Sequence, residues 1–239
     1  MSRYNRSTSS GVGYPPWTPA VKTLVITCVI AWFVQIIGGD SITNRFGLVP
    51  RDVTQNWHVW QLVSYIFLHD RYNVLHILFN MLGLWMFGSA LEDIWGSRQF
   101  MKFFFICGIG AGILMVLLSP GSPFPTIGAS GSIYGVLLAF GMMFPDRIIY
   151  WLIFPIPAKY FVMIMGGISL LSSIGGDGGI AHTTHLGGLI VGYLYLKGTR
   201  IHLISEIQYR FLKWRINRMR RKFDVYSGGR ANDVDRRVH

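Results

Sequence analysis

The chain has 239 residues, of which 51% are hydrophobic and 14% are charged, and its formal net charge is +11. Its mean hydropathy of +0.39 is too high for an ordinary soluble domain of this length. The composition therefore excludes that class and favours a protein that lies in a membrane.

The first segment, residues 1–19, is predicted to be flexible and cytoplasmic, because residues 7–19 are rich in Ser, Gly and Pro. Within it, Tyr14 and Trp17 suit the interface between membrane and water. The sequence pattern of a cleaved signal peptide does not occur here, so we expect none.

Six apolar segments follow, and four of them approach the length of about 20 residues that a membrane-spanning helix needs. They comprise residues 20–39, 74–91, 100–119, 129–144, 157–174 and 184–196. The fourth and sixth are short, which favours helices surrounded by protein rather than by lipid. The sequence therefore predicts an all-α polytopic membrane protein with a six-span domain over residues 20–197. Cys28 and Cys107 lie within spans, where packing is favoured over a disulfide.

The second span carries two polar side chains, His76 and Asn80, which are one turn apart on one helix face. Polar groups inside a bilayer are costly, so they are functional candidates. Both side chains donate hydrogen bonds without a permanent charge, which suits stabilisation of an oxyanion. The alternative is a polar contact between helices.

The fourth span opens on a serine between glycines, in the order Gly128, Ala129, Ser130 and Gly131. A serine at a helix N-terminus is a candidate nucleophile, because free backbone N–H groups there stabilise a developing oxyanion. Tyr134 shares its helix face. The alternative is a small-residue packing motif in which Ser130 bonds only to backbone.

The sixth span places His185, Gly188 and Gly192 on one face, so that the glycines allow a second helix to approach the histidine closely. A neutral imidazole is the usual activator of a serine hydroxyl, which makes His185 a candidate base. The alternatives are a buried structural histidine and a metal site with His182. The sequence has no HExxH motif and no cysteine or acidic cluster with ligand spacing, so no metal or cofactor is expected.

The last segment, residues 198–239, is predicted to be a basic cytoplasmic tail that is partly an amphipathic helix and then disordered. Such a segment beside a membrane span favours anionic lipid over nucleic acid as its partner. Basic residues at both ends of the chain place both termini in the cytoplasm, and the loop over residues 120–127 is uncharged. This orientation puts His76, Ser130 and His185 near the outer face, which suggests one shared site.

These motifs together resemble the rhomboid family of intramembrane serine proteases, and the resemblance covers residues 20–196. The residues that carry it are His76, Asn80, Gly128, Ser130, Gly131, Tyr134, His185, Gly188 and Gly192. It implies that Ser130 is the nucleophile and His185 the general base of a dyad. His76 and Asn80 would line the oxyanion hole with the Ser130 N–H group, and Tyr134 would pack against the His185 ring.

The resemblance also assigns structural roles. Glu92 matches a structural acidic position of the family, and the first loop would be partly embedded in the membrane, with Trp57 and Trp60 at the interface. Gln61 follows Trp60 where many members have arginine, a departure that bears on the anchoring of this loop and not on the chemistry. A non-helical crossing would cover residues 147–160, and a capping loop would cover residues 172–181, with substrate entry near span five.

The function implied is cleavage of transmembrane substrates near the outer face through an acyl-enzyme, in a bacterial plasma membrane. One alternative is an inactive rhomboid-like protein that binds membrane proteins, although Ser130 and His185 are both retained. Another is a small-molecule transporter, although the sequence shows no inverted repeat. An aspartyl protease needs two intramembrane carboxylates, and Asp177 lies in a glycine-rich loop without a partner in another span.

Overall fold

A computed structural model describes residues 16–151, 154–174 and 179–198. The chain divides into two compact units, Met1–Tyr195 and Leu196–His239, and the fold below is that of the first. The predicted flexible segment up to residue 15 and the predicted tail from residue 199 lie outside the described residues.

Helices make up most of the described chain. The first half contains α1 (Pro19–Gly38), α2 (Asp40–Phe46), α3 (Pro50–Gln55), α4 (Gln61–Ser64), a 3₁₀ turn (Tyr65–Phe67), α5 (Val74–Gly83), a π-helical turn (Leu84–Gly88) and α6 (Ser89–Trp95). The second half contains α7 (Ser97–Leu118), α8 (Ser130–Met143), β1 (Ile148–Trp151), β2 (Phe154–Pro157), α9 (Ala158–Ile174) and α10 (Gly179–Gly198).

Three helical stretches in the described residues are long and apolar enough to cross a membrane, namely Pro19–Gly38, Val74–Trp95 and Ser97–Leu118. Ser130–Met143 and Ala158–Ser173 are shorter apolar helices. The prediction of a largely helical membrane protein is therefore confirmed, while the count of six spans stays a prediction. Helix α8 is short, as predicted, and most of its residues are buried.

The predicted crossing over residues 147–160 is non-helical over most of its length: an antiparallel hairpin pairs Ile148 with Pro157, and α9 begins at Ala158, close to the predicted start of the fifth span at residue 157. Two other predicted boundaries were wrong. Helix α10 has 20 residues rather than a short run from residue 184. Its first turns contain Gly, His and Thr, which lower the apolar signal without stopping a helix. Residues 172–174 and 179–181 are therefore helical, and the rest of the expected cap lies outside the described residues.

Glu92 joins the starts of two helices to the end of a third. Its carboxylate accepts hydrogen bonds from the Ala20 and Val21 N–H groups, at 2.8 and 2.9 Å. It also accepts from the hydroxyls of Thr18 at 2.5 Å and Ser97 at 2.6 Å. A buried carboxylate with four donors satisfies the open N-terminus of α1, where backbone N–H groups lack helical partners.

The buried glutamine Gln61 holds the first loop in place. Gln61 is fully buried; its side-chain oxygen accepts from the Val49 N–H at 3.0 Å and its amide donates to the Arg45 carbonyl at 3.4 Å. The Trp60 indole donates to the same carbonyl at 3.1 Å, and the Arg45 guanidinium lies 4.7 Å from the Trp60 ring centroid. The neutral amide thus bonds a donor and an acceptor, whereas arginine can only donate.

Candidate active site

The serine of span four and the histidine of span six meet directly. Ser130 is the first residue of α8, and its Oγ lies 2.8 Å from Nε2 of His185 on α10. The two residues are 55 positions apart in sequence, so the contact depends on how α8 and α10 pack. A hydroxyl at this distance from a ring nitrogen is within reach of proton transfer.

Glycines bring these two helices together. A Cβ atom built on Gly188 would lie 1.9 Å from the Gly131 carbonyl oxygen, and one on Gly192 would lie 3.1 Å from Cα of Gly135. The backbones therefore touch along the stripe that the sequence placed beside His185. This contact fixes the height of His185 against the first turn of α8.

An aromatic ring fixes the plane of the imidazole. Tyr134 lies parallel to His185, with ring centroids 4.3 Å apart and an interplanar angle of 7°. The His182 ring lies edge-on to the His185 ring, with centroids 5.6 Å apart. In the part of the chain that the structure describes, nothing hydrogen-bonds to Nδ1 of His185. No group of three or more His, Cys, Asp or Glu side chains there is arranged to hold a metal ion.

Gly128 brings the second span to the serine. Its φ of +127° lies in a region that favours glycine, and its N–H donates to the Tyr65 carbonyl at 2.9 Å. A Cβ atom there would lie 2.9 Å from Nε2 of His76 and 3.6 Å from Oγ of Ser130. The edge of the His76 ring and the serine oxygen therefore border the same small space, which only glycine leaves open.

The side chains of His76 and Asn80 each have one hydrogen-bond partner nearby. The Asn80 amide donates to the His76 carbonyl at 2.8 Å and is buried. Nδ1 of His76 accepts from the Asp70 N–H at 3.2 Å. One amide hydrogen of Asn80 and the Nε2 side of His76 therefore remain for other partners.

Sequence reasoning missed the residues behind His76. Gln35 on α1 and His69 in the first loop are both fully buried, and their contacts lead to the segment before α5. Gln35 could have been identified from the sequence, because a lone glutamine inside an apolar span is costly and is a functional candidate. Its partner was hidden, since the first loop has no periodic pattern that places His69.

Sequence comparisons match this chain to one family model and to several known proteins. The rhomboid domain family model matches residues 56–200. The chain is similar to a rhomboid protease GlpG of Haemophilus influenzae, with 28% identity over 177 residues, 72% of this chain and 88% of that protein. It is 33% identical to the rhomboid protease GluP of Bacillus subtilis over 124 residues, 50% of this chain and 24% of that protein. It is 27% identical to the RHOMBOID-like protein 5 of Arabidopsis thaliana over 157 residues, 65% of this chain and 49% of that protein. The chain thus spans half or less of the length of the last two relatives.

Proposed function

Because the chain belongs to the rhomboid family, we propose that it is an intramembrane serine endopeptidase that uses Ser130 and His185 as a dyad. One observation carries the proposal, namely the 2.8 Å contact between Ser130 Oγ and His185 Nε2. The Haemophilus influenzae relative, which this chain covers over most of its length, is a rhomboid protease. Both lines support the same chemistry.

The reaction proceeds in two acyl-transfer steps. His185 takes the Ser130 hydroxyl proton while Oγ forms a bond to the scissile carbonyl carbon. The C–N bond then breaks, His185 gives that proton to the departing amine, and an ester to Ser130 remains. Water attacks the ester with His185 again as base, and the Ser130 hydroxyl is restored. Tyr134 keeps the imidazole plane in line with the serine during both transfers.

The oxyanion of each tetrahedral intermediate needs donors at the mouth of α8. The Ser130 N–H belongs to the first helical residue, where backbone N–H groups have no partner within the helix. His76 Nε2 borders the same space, and Asn80 has one amide hydrogen left. We assign these three donors to the oxyanion hole, with Gly128 giving the room for it.

Alanine at His76 is expected to lower kcat by about 10²–10³-fold, because one preorganised oxyanion donor contributes that much. Asn80→Ala is expected to cost less, since one of its amide hydrogens already binds the His76 carbonyl. The measurement is turnover of a transmembrane substrate by purified variants in detergent. Unchanged turnover in the double variant would leave both residues with packing roles only.

The substrates are membrane proteins. A transmembrane helix keeps its backbone hydrogen bonds internal, so its peptide bonds reach Ser130 only after local unwinding. Helix-weakening Gly and Pro residues near the cleavage site lower that cost. We place substrate entry beside α9, and we propose no role for nucleic acid.

Labelling with a serine-reactive fluorophosphonate tests the nucleophile directly. The wild-type protein is expected to be labelled and Ser130→Ala is not, because Ser132 is buried and lies outside the dyad. A wild-type protein that resists labelling under conditions that preserve its fold would instead favour the inactive binding protein.

We also propose the orientation of the chain. Both termini lie in the cytoplasm, the site opens outward from a bacterial plasma membrane, and the basic tail over residues 198–239 rests on anionic lipid. The support is the distribution of Lys and Arg along the sequence. Fusions at His239 to a reporter active only in the cytoplasm are expected to be active, and an external signal would reverse the orientation.

A further inference from the structure

Three side chains from the first two helices hold one short turn ahead of α5. The Gln35 side-chain oxygen accepts from the His69 N–H at 2.8 Å. The Trp32 indole donates to the Asp70 carbonyl at 3.1 Å. The Asp40 carboxylate lies 3.0 Å from the Arg71 guanidinium. Residues 69–71, here called the clamped turn, are thus tied to α1 and α2 at each consecutive position.

The bond between Gln35 and His69, which holds the clamped turn, is buried. Gln35 is 0% exposed, and its amide nitrogen donates to the Thr43 hydroxyl at 3.1 Å while its oxygen binds the His69 N–H. His69 is equally buried, and burial lowers the pKa of its ring to about 4, so the ring is neutral at neutral pH. The bond from the His69 N–H to the buried Gln35 oxygen is the one that fixes the backbone of the turn.

The clamped turn donates a hydrogen bond to one ring nitrogen of His76. The Asp70 N–H donates to Nδ1 of His76 at 3.2 Å, and a backbone N–H can only donate. Nδ1 must therefore be the unprotonated acceptor, which leaves the ring hydrogen of a neutral imidazole on Nε2. Nε2 is also the atom that borders the space beside Gly128 and Ser130.

We propose that Gln35 is a positioning residue that, through the clamped turn, selects the Nε2–H tautomer of His76 and aims it at the oxyanion. The inference rests on the proposed function, and it adds a residue of α1 that touches neither substrate nor the dyad. Without the Gln35 bond, the turn loses the buried one of its three ties, so the Asp70 N–H is held less firmly. His76 then populates the Nδ1–H tautomer, which offers an acceptor where the oxyanion needs a donor.

A double-mutant cycle tests this coupling. Gln35→Leu is expected to lower kcat by about tenfold with little change in KM, because the donor is lost for part of the population rather than removed. In the His76→Ala background the same substitution is expected to cost less than about twofold, since the donor that it positions is already absent. An equal loss in both backgrounds would overturn the proposal.

Matched variants separate positioning from folding. Thr43→Val removes the bond that the Gln35 amide nitrogen donates and leaves the bond to His69 in place. It is therefore expected to keep wild-type kcat even if it lowers the unfolding temperature. Trp32→Phe removes a second bond to the clamped turn and keeps the aromatic ring, so it serves if Gln35→Leu does not fold. It is expected to lower kcat several-fold, again only when His76 is present, and an equal loss without His76 would overturn the proposal.

The tautomer itself can be observed. In ¹⁵N-histidine-labelled protein, His76 is expected to show an unprotonated Nδ1 and a protonated Nε2, and Gln35→Leu is expected to mix the two forms. An unchanged His76 tautomer in Gln35→Leu would overturn the inference while leaving the protease intact. Failure of the proposed function looks different, because Ser130→Ala would then match wild type in every assay.

Discussion

Alanine at Ser130 or at His185 is expected to lower turnover of a transmembrane substrate by about 10⁴-fold or more, and by nearly the same factor in each case. The two side chains form one unit across 2.8 Å, so either substitution removes the activated nucleophile. The double variant is expected to be no worse than either single one. The measurement is single-turnover cleavage by purified protein, with unfolding temperatures recorded beside it.

His182→Ala is the matched control, because this histidine lies one turn before His185 on the same helix. Its ring sits edge-on to His185, with centroids 5.6 Å apart, whereas it is the His185 ring that contacts Ser130 Oγ. We expect His182→Ala to retain a substantial fraction of turnover. If His182→Ala were inactive and His185→Ala active, the assignment of the base would be reversed.

Much of the candidate site was predictable because polar groups are expensive in a bilayer. His76, Ser130 and His185 stand out from apolar surroundings, and their helical spacing to Asn80 and Gly188 identifies the faces that meet. The structure brings these residues to one place. Their catalytic roles are the proposal that the variants above test.

The first loop was not predictable in the same way. Helices α2, α3 and α4 have between four and seven residues each, too short for a clear apolar period. Their positions depend on tertiary bonds such as those of Gln61 to Val49 and Arg45. The same holds for the clamped turn, since nothing in the spacing of Gln35 and His69 shows that they touch.

The start of α10 was mispredicted for a different reason. Hydropathy detects apolar residues rather than helices, so the polar run before His185 looked like a loop although it is helical. The hairpin before α9 has a related cause. Pro155 and Pro157 indicate that the helix is interrupted, but they do not indicate what replaces it.

Gly188→Ala is expected to abolish most activity although it adds only one methyl group, at a residue outside the dyad. That methyl carbon would lie 1.9 Å from the Gly131 carbonyl oxygen, well below the 3.0 Å that real Cβ atoms respect. The obstacle is backbone rather than a flexible side chain, so α10 must move away from α8 by about 1 Å. A misplacement of about 1 Å is enough to cost about 10²-fold in rate.

Gly188→Ala should lower both stability and turnover, because the same contact holds the helices together and sets the distance from His185 to Ser130. We therefore expect a lower unfolding temperature and at least about a hundredfold loss of kcat. Gly198→Ala at the end of α10 is the matched control, since a Cβ atom there would meet nothing within 4 Å. Alanine is the better helix former, so that variant should keep activity and unfold at the same or a higher temperature. Wild-type turnover in Gly188→Ala would show that the dyad tolerates separation of α8 and α10, and would remove the glycine stripe from the account of catalysis.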